Sequence, residues 1–282
     1  MKHYLSLIKF SHTIFALPFA CIGFFLASSN TTIDWNIFIY IILCMVFARS
    51  AAMAFNRYID REIDKANKRT SLTREIPNGT ISPKNALIFV VINCFLFIIT
   101  TYFINSTCFK LSPIALLIIL GYSYTKKFTA LCHLVLGLGL SISPIGAYLA
   151  VNETFHFLPI LFSISVLFWV SGFDIIYSLQ DQEFDKQQKL HSIPVLLGNK
   201  KALKISQFLH IIVLGILLFI GYKFSFKEFY WIGFTIFSSL LFYQHTLVSE
   251  NDLSKVNLAF FTTNGVASVI FGFFVIYDLL IN

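Results

Sequence analysis

Long apolar runs recur along nearly all of this 282-residue chain, and they restrict what it can fold into. Hydrophobic residues make up 57% of the sequence and charged residues only 12%, whereas about a quarter of a soluble domain is charged. Most of the runs are long enough to cross a bilayer as α-helices, since about 20 residues span its ~30 Å hydrocarbon core. The sequence therefore predicts an all-α, polytopic membrane protein.

We predict about nine transmembrane helices in one domain, residues 1–282, because no polar linker is long enough to separate two domains. No small-residue cleavage site marks a signal peptide, so we expect the first apolar run to be a spanning helix. The fourth run is short for a spanning helix, and we expect it to be tilted or packed inside the bundle. The predicted segments are 10–28, 36–58, 84–105, 111–124, 131–151, 156–178, 203–223, 227–247 and 256–280.

The basic residues are unevenly distributed between the two sides of such a bundle. With nine segments, the N-terminus and the loops after segments two, four, six and eight share one side and hold most of the lysines and arginines. Only Lys110, Lys223 and Lys227 fall on the other side. The positive-inside rule places the basic side in the cytoplasm, so we predict an integral protein of a bacterial cytoplasmic (inner) membrane. The net charge of +7 then reflects orientation, and we expect no nucleic-acid partner.

Two acidic motifs lie at the predicted cytoplasmic ends of apolar segments. Asn56, Asp60 and Asp64 have the spacing N-x-x-x-D-x-x-x-D, and Asp181 and Asp185 have the spacing D-x-x-x-D. A four-residue step keeps side chains on one face of a helix, so each motif predicts a column of oxygen ligands. Such columns suit Mg²⁺, which commonly binds together with substrate phosphates. We predict a Mg²⁺-dependent site for a phosphate-bearing substrate at the cytoplasmic face.

Solvation of the helix ends is the alternative explanation for these acidic residues. It fits less well, because carboxylates near a helix C-terminus oppose the helix macrodipole. The clustering also exceeds what solvation needs, since most of the chain's acidic residues fall within the two short windows around the motifs.

Basic residues near the motifs are candidates for binding a diphosphate, which needs cationic donors as well as metal. Arg61 and Arg74 lie in the loop after the second segment, and Lys126 and Lys127 form a basic pair in a short loop. Each of them has a simple alternative role as a solvated or headgroup-facing charge. The adjacent lysines are the better candidates, because they lie together beside the predicted site.

Two ionisable residues, Arg49 and Asp174, lie deeper within apolar segments. Such residues are costly in a membrane and normally face the bundle interior, a partner or a water-filled cavity. We predict that both bind substrate, with Arg49 contacting the acidic end of an acceptor; a structural Arg49–Asp174 ion pair is the alternative. His12 and His133, at the cytoplasmic ends of their helices, are further candidates for contacting the acceptor or taking a proton.

At these motifs the chain resembles the UbiA superfamily of intramembrane prenyltransferases, over essentially its whole length. The run at residues 172–177 is typical of the 4-hydroxybenzoate polyprenyltransferases and their relatives in menaquinone synthesis, whereas haem farnesyltransferases fit it less well. Arg57 and Lys189 depart from the pattern, without removing a proposed metal ligand. The resemblance also includes Arg69-Thr70, Arg74, Pro77, Gly79 and the run Tyr122-Ser123-Tyr124-Thr125-Lys126-Lys127.

The resemblance implies Mg²⁺-dependent transfer of a polyprenyl group from polyprenyl diphosphate to an aromatic acid, in ubiquinone or menaquinone synthesis. It implies that the three residues of the first motif hold one Mg²⁺ and the two of the second motif hold another. Lys126, Lys127 and Arg61 would offset the charge of the leaving diphosphate, and Tyr177 would stabilise the allylic cation through its ring.

Other readings of the same motifs stay open at this point. The acceptor can be 1,4-dihydroxy-6-naphthoate, homogentisate or haem in place of 4-hydroxybenzoate, and His12 with the 190–194 run weakly favours the naphthoate. An ion or metabolite transporter is the alternative from a different class of protein, since paired carboxylates also suit a cation pathway. Against it, both acidic motifs lie at one face and not at the midplane, where transporter sites usually lie.

Overall fold

The computed structural model describes residues 2–8, 14–29 and 32–281, and in these ranges the chain is helical and has no strand. A 3₁₀ turn at Leu179–Asp181 and a π-helical segment at Leu258–Thr263 interrupt the regular α-helices. The helices are α1 (Lys2–Leu7), α2 (Leu17–Ser28), α3 (Trp35–Ile59), α4 (Arg61–Ala66), α5 (Pro83–Ile104), α6 (Ser106–Thr125), α7 (Cys132–Asn152), α8 (Phe157–Ser178), α9 (Gln182–Gln187), α10 (Ile193–Leu197), α11 (Asn199–Lys223), α12 (Glu228–Thr246) and α13 (Asn264–Ile281).

Seven helices of the described chain are long and apolar enough to cross a membrane. They are α3, α5, α6, α7, α11, α8 with its continuation into α9, and α13 with the π-helical segment. Helix α2, with 12 residues, is shorter, and α12, with 19 residues, is not among the seven. These nine helices correspond to the nine predicted segments, so the all-α membrane fold is confirmed and the count of nine spans is approximate.

The fourth predicted segment, residues 111–124, was too short, because the corresponding helix begins at Ser106 and not at residue 111. Asn105 begins this helix by accepting a hydrogen bond from the Cys108 amide at 2.8 Å. Its side-chain amide also donates to the carbonyls of Leu149 and Ala150, at 2.8 and 3.1 Å, at the end of α7. Polar residues at the start of α6 therefore have partners inside the bundle, and a 20-residue helix results.

The largest apolar core lies between α2, α8, α12 and α13 and is built from aromatic rings. Trp169 of α8 is fully buried, with its ring centroid 5.3 Å from that of Phe19 and 5.8 Å from that of Phe237. Phe271 of α13 closes the group at 5.1 Å from Phe237. Tilted and edge-on aromatic pairs of this kind contribute about 0.5–1.5 kcal/mol each beyond their buried area. This core fixes α8, and with it the second acidic motif.

A buried carboxylate of α13 caps the beginning of α12. Asp278 is 2% exposed, and its two oxygens accept hydrogen bonds from the backbone amides of Lys227 and Tyr230, at 2.9 and 3.3 Å. The first amides of a helix have no partner within the helix, so a buried helix start needs such an acceptor. The two helices are joined by this contact as well as by apolar packing.

The π-helical segment before α13 is held by a buried polar network. The Asn264 side-chain amide donates to the carbonyls of Ala259 and Phe260, both at 2.9 Å. Gln244 donates to the Ala259 carbonyl at 3.1 Å, and the Trp169 indole donates to Asn264 at 3.0 Å. Wide turns of this kind are frequent at functional sites, and this one borders the cavity described next.

Candidate active site

The first acidic motif lies across a break between two helices. Helix α3 ends at Ile59 and α4 begins at Arg61, so Asp60 is the junction residue and not part of one continuous column. The helical hydrogen-bonding pattern nevertheless continues, from the Asp60 amide to the Asn56 carbonyl at 2.9 Å and from the Asp64 amide to the Asp60 carbonyl at 2.7 Å. The three motif side chains therefore still share one side, and the Asn56 side-chain amide donates to Asp60 Oδ2 at 3.0 Å.

The second motif also crosses a break, at the end of α8. Asp174 and Tyr177 lie on α8, Asp181 ends the 3₁₀ turn and Asp185 lies on α9. The loops predicted after both motifs thus contain short helices, namely α4 after the first and α9 and α10 after the second.

Residues of the first loop contact the second motif directly. The Arg69 guanidinium donates to both carboxylate oxygens of Asp181, from Nη2 at 2.6 Å and from Nε at 3.2 Å, and to the Tyr177 hydroxyl at 3.2 Å. Asn67 adds a weaker hydrogen bond to Asp181 at 3.3 Å. A two-pronged arginine–carboxylate contact fixes geometry as well as charge. The contact therefore holds Asp181 in a defined position relative to the loop that follows the first motif.

Two more basic residues pair with motif carboxylates. Arg74 contacts Asp64, which is 4% exposed, and Lys126 Nζ lies 2.7 Å from Asp185 Oδ2, on a residue that is 1% exposed. Buried carboxylates of this kind require paired positive charge. The carboxylates of the two motifs and their basic partners therefore lie next to each other around one cavity.

One cavity of about 740 Å³ collects nearly all of the predicted site residues. Both acidic motifs face it, as do the π-helical segment and the start of α7. The predicted residues lining it are Arg49, Asn56, Asp60, Asp64, Arg74, Lys126, Lys127, Asp174, Tyr177, Asp181 and Asp185.

One predicted residue of the described chain does not line this cavity. Arg61 is not among the lining residues; its guanidinium donates to the Tyr58 carbonyl at 2.8 Å, lies over the Tyr58 ring and pairs with Glu62 at 3.5 Å. These local contacts direct it away from the motif carboxylates. His12 lies outside the described residues.

The alternative Arg49–Asp174 ion pair is not found among the described residues. Asp174 Oδ2 lies 2.7 Å from His133 Nδ1, and Arg49 Nε is buried without a hydrogen-bond partner in the described chain. The guanidinium of Arg49 lines the site cavity and also a second cavity. Arg49 therefore lies at the boundary between the two cavities.

That second cavity, of about 380 Å³, is apolar and lies between α3, α5, α6 and α7. It shares Arg49, Tyr122, Leu136 and Leu140 with the site cavity, so the two adjoin. On α7 its lining runs from Leu136 to Ala150, roughly 20 Å at 1.5 Å per residue. An apolar channel of this length leads from the charged site into the bundle.

Burial shapes the charges around the site. Burial, and next the neighbouring Asp64, raise the pKa of Asp60 to about 6, while Arg74, Lys126 and Lys127 act in the opposite direction. A carboxylate whose charge is disfavoured by burial gains most from an added cation. In two basic groups, burial lowers the pKa but acidic neighbours outweigh it. Tyr177 and Asp181 raise the pKa of Arg69, and Asp185 raises the pKa of Lys126.

The donor set of the two motifs fits a hard cation. Asn56 and the four aspartates offer only oxygen ligands, and Asp64 Oδ2 is buried with no hydrogen-bond partner in the described chain. Within the described ranges, no three His, Cys, Asp or Glu side chains are close enough to enclose one metal ion. Mg²⁺ does not need such a group, because it commonly takes one or two carboxylates and completes its shell with water and substrate phosphates.

Several cavity residues were not predicted as site residues. Arg57 lines the cavity and is 7% exposed, and the π-helical Phe260 lies with its ring centroid 4.2 Å from that of Tyr177. The sequence signal for Arg57 was its departure from the motif pattern. Phe260 carried no such signal, because 33 phenylalanines are spread over the chain.

Comparisons with known proteins show which family the chain is similar to. The model of the UbiA prenyltransferase family matches residues 16–266. A protein from Aliivibrio salmonicida (strain LFI1238) named 4-hydroxybenzoate octaprenyltransferase is 32% identical over 241 residues, which are 84% of this chain and 83% of the relative. A protein of the same name from Herminiimonas arsenicoxydans is 26% identical over 249 residues, 88% of this chain and 87% of the relative.

Solved structures share the fold over almost the whole chain. The apo structure of a UbiA homologue from Aeropyrum pernix K1 is 28% identical, covers 95% of this chain and 98% of its own, and has a TM-score of 0.85. A UbiA homologue from Archaeoglobus fulgidus, solved with GPP and Mg²⁺ bound, is 20% identical, covers 99% and 100%, and has a TM-score of 0.77. At 20% identity this second likeness shows the fold alone. With an all-helical membrane fold, two acidic motifs on one cavity and a family match over most of its length, the chain belongs to the UbiA prenyltransferase family.

Proposed function

We propose that the protein transfers a polyprenyl group from a polyprenyl diphosphate to an aromatic acid of the 4-hydroxybenzoate type, in a Mg²⁺-dependent reaction. The observation that carries the proposal is the single cavity onto which both acidic motifs open, beside an apolar channel. The charged cavity suits a diphosphate and the channel suits a hydrocarbon tail. Curated relatives named 4-hydroxybenzoate octaprenyltransferase support this choice of donor and acceptor.

We assign Mg²⁺ to the oxygen ligands of the motifs, with Asn56, Asp60 and Asp64 on one side and Asp181 and Asp185 on the other. Mg²⁺ bound there would neutralise charge on the departing diphosphate. The Archaeoglobus fulgidus homologue solved with GPP and Mg²⁺ supports the pairing of metal and prenyl diphosphate.

The basic residues of the cavity bind the diphosphate in this proposal. Arg74 and Lys126 already contact motif carboxylates, and Lys127 lines the same cavity. Their fixed positive charges stabilise the charge that develops on the leaving group, without rearrangement during the reaction. Arg61 is left out of this proposal, because its guanidinium contacts Tyr58 and Glu62 and does not line the cavity.

The allylic end of the prenyl group lies near Tyr177 in this proposal. The hydroxyl of Tyr177 is held by Arg69, and its ring packs against Phe260. An aromatic face stabilises a nearby cation by about 0.5–2 kcal/mol, more when water is excluded. The apolar walls also keep water from the allylic cation.

The acceptor lies deeper, with its carboxylate on Arg49. The buried, unpartnered Nε of Arg49 and its place between the two cavities suit an anionic group that enters with an aromatic ring. A planar guanidinium binds carboxylates through paired hydrogen bonds. The same chemistry on 1,4-dihydroxy-6-naphthoate, homogentisate or haem remains the alternative, and no observation on the cavity favours it.

We place the reaction in respiratory quinone synthesis, ubiquinone or menaquinone, in a bacterial inner membrane with the site facing the cytoplasm. The excess of basic residues at the end of the bundle that holds the site supports this orientation. A membrane site has a physical advantage, since each buried CH₂ of a prenyl tail gains about 0.8 kcal/mol. We treat residues 1–282 as one domain.

The test is transfer of a radiolabelled polyprenyl diphosphate in membranes that contain the protein and Mg²⁺. 4-Hydroxybenzoate and 1,4-dihydroxy-6-naphthoate are offered separately, and Asp60→Ala and Asp181→Ala are compared with the exposed Asp252→Ala. We expect transfer to 4-hydroxybenzoate that both motif variants lose and Asp252→Ala keeps. Transfer to the naphthoate alone would reassign the acceptor, and no transfer to either by folded protein would refute the proposal.

A further inference from the structure

A group of exposed lysines and leucines lies where α10 meets α11. Lys200, Lys201 and Lys204 belong to the first turns of α11 and are exposed. Leu196 and Leu197, at the end of α10, are 69% and 38% exposed. Of these five described residues, none lines the site cavity or the apolar cavity beside it. We call this group the corner patch, and the proposed transfer reaction makes no use of it.

The lysines of the corner patch are not explained by contacts within the chain. Positive charge near the start of a helix opposes the helix macrodipole. Lys200 Nζ lies 3.6 Å from Glu250 Oε1, but its side chain is still 70% exposed. In the part of the chain that the structure describes, Lys201 and Lys204 have no ion pair. Two positive charges are therefore left for a partner outside the protein.

These two lysines share one face of α11 with exposed apolar side chains. Steps of three and four residues lead from Lys201 through Lys204 to Phe208 and Ile211, which places them on one side of the helix. Phe208 and Ile211 are each 61% exposed, and Leu218 continues the face at 43%. Helix α11 is long and apolar enough to cross a membrane. Its exposed face is therefore lipid-facing, and the lysines lie at the level of the headgroups.

The leucines of α10 lie at the same level. Ile193 and Pro194 of this helix are buried, whereas Leu196 and Leu197 are exposed beside the lysines. Apolar side chains next to basic ones are typical of segments at the membrane interface, where they reach the acyl boundary. A phospholipid matches both parts of the surface. A soluble anionic protein would match the lysines but not the lipid-facing Phe208.

Helix α10 is also tied to the second acidic motif. The Gln182 side-chain amide donates to the Pro194 carbonyl at 2.8 Å, and Gln182 begins α9, which carries Asp185. Beneath the corner patch, the fully buried Ala202 packs in one apolar cluster with Ile193. A partner bound at the corner patch would therefore restrain α9 and α10 as well as the start of α11.

We propose that the corner patch docks an anionic phospholipid of the surrounding leaflet. The lipid phosphate pairs with Lys201 and Lys204, and an acyl chain lies along Leu196, Phe208 and Ile211. Lysines close to a membrane surface attract anionic lipids in this way. The proposal concerns the contact with the membrane, so it holds whether or not the proposed transfer reaction is correct.

The test uses the purified full-length protein and two readouts, neither of which involves prenyl transfer. The dissociation constants of phosphatidylglycerol and phosphatidylcholine are measured by native mass spectrometry. Hydrogen exchange of residues 182–197 is followed in nanodiscs of phosphatidylcholine with and without phosphatidylglycerol. Lys201→Gln/Lys204→Gln is compared with the charge-conserving Lys201→Arg/Lys204→Arg. The control is Lys65→Gln/Lys68→Gln, which removes the same charge from exposed lysines of the first polar loop.

We expect the wild type to prefer phosphatidylglycerol and to exchange more slowly at residues 182–197 when this lipid is present. Lys201→Gln/Lys204→Gln should weaken binding of phosphatidylglycerol about 30-fold, the combined contribution expected of two lysines near an anionic surface. It should also lose the slower exchange. The arginine variant should keep both properties, and Lys65→Gln/Lys68→Gln should match the wild type.

Several results would overturn the proposal. Wild-type affinity and protection in Lys201→Gln/Lys204→Gln would remove the corner patch from lipid binding, and equal losses in Lys65→Gln/Lys68→Gln would show a general effect of net charge. Slower exchange with glycerol phosphate, which has no acyl chains, would assign the lysines to a soluble phosphate. Equal affinity of the wild type for the two lipids would leave the surface to a soluble partner, and this result needs no variant to fold.

Discussion

Replacing Gly172 by alanine should destabilise the bundle through one identifiable steric conflict. A Cβ atom at Gly172 would lie 2.4 Å from Nε2 and 2.5 Å from Cδ2 of His210 on α11. The imidazole cannot move freely, because His210 is 2% exposed and both of its nitrogens are engaged. Nε2 lies 3.2 Å from the Trp169 carbonyl and must donate to it, so Nδ1 accepts from Nε2 of His245 at 2.8 Å.

The size of the effect follows from three contributions. Overpacking a well-filled core costs about 1–3 kcal/mol. Displacing His210 also breaks two hydrogen bonds, each worth about 1 kcal/mol. Alanine recovers about 0.5–1 kcal/mol relative to glycine within a helix. The expected net loss in the free energy of unfolding is about 2–4 kcal/mol.

The assay is unfolding in mixed micelles with increasing SDS, followed by tryptophan fluorescence. Gly215→Ala is the matched control, because Gly215 lies on α11 with no atom within 4 Å of an added Cβ, so this variant should be neutral or slightly stabilising. The double variant Gly172→Ala/His210→Ala should lose less than the two single losses combined, since removing the imidazole removes the conflict. Equal stability of Gly172→Ala and Gly215→Ala, or strict additivity in the double variant, would refute the steric reasoning.

Three further predictions concern other contacts. Arg69→Lys should lower the kcat/KM of transfer by about tenfold while protein yield stays normal, because lysine cannot make the two-pronged contact with Asp181; unchanged kinetics would show that this contact is dispensable. Asp278→Ala should lower the free energy of unfolding by about 1–3 kcal/mol, since the amides of Lys227 and Tyr230 at the start of α12 lose their acceptor. Asp252→Ala should leave SDS unfolding unchanged, and similar unfolding curves for both variants would contradict the capping role. Chelation by EDTA should abolish transfer and added Mg²⁺ should restore it, whereas activity that persists in EDTA would remove the metal from the reaction.

The sequence was sufficient to predict the helices and to single out most of the charged residues that line the cavity, although it could not show that the two motifs face each other. Hydropathy alone located the apolar segments, because the bilayer requires helices of a defined length. The spacing of the acidic residues identified Asp60, Asp64, Asp181 and Asp185, which the packing of the helices then brings to one cavity. Spacing worked even though both motif helices break, since the hydrogen bonds across Asp60 keep the helical rise.

The sequence did not predict which residues of different helices pair with each other. Asp174 pairs with His133, 41 positions away, and not with Arg49, because the contact depends on how α7 packs against α8. The same holds for the start of α6, where Asn105 is satisfied by the end of α7. Arg61 does not line the cavity for a local reason, because its neighbours Tyr58 and Glu62 offer its guanidinium nearer partners. Charge and spacing identify candidate groups, but the rotation of each helix decides which of them meet.

The cap on α12 bears on how the chain is made in the cell. The ribosome completes α12 before it reaches Asp278, so the amides of Lys227 and Tyr230 at the start of α12 lack their acceptor until α13 is made. The Tyr230 amide is buried, and a buried amide without a partner is costly, so the start of α12 is incompletely stabilised until α13 packs beside it. The two helices therefore form the last unit of membrane insertion together, and a premature stop before Asp278 would leave a helix that quality-control proteases can recognise.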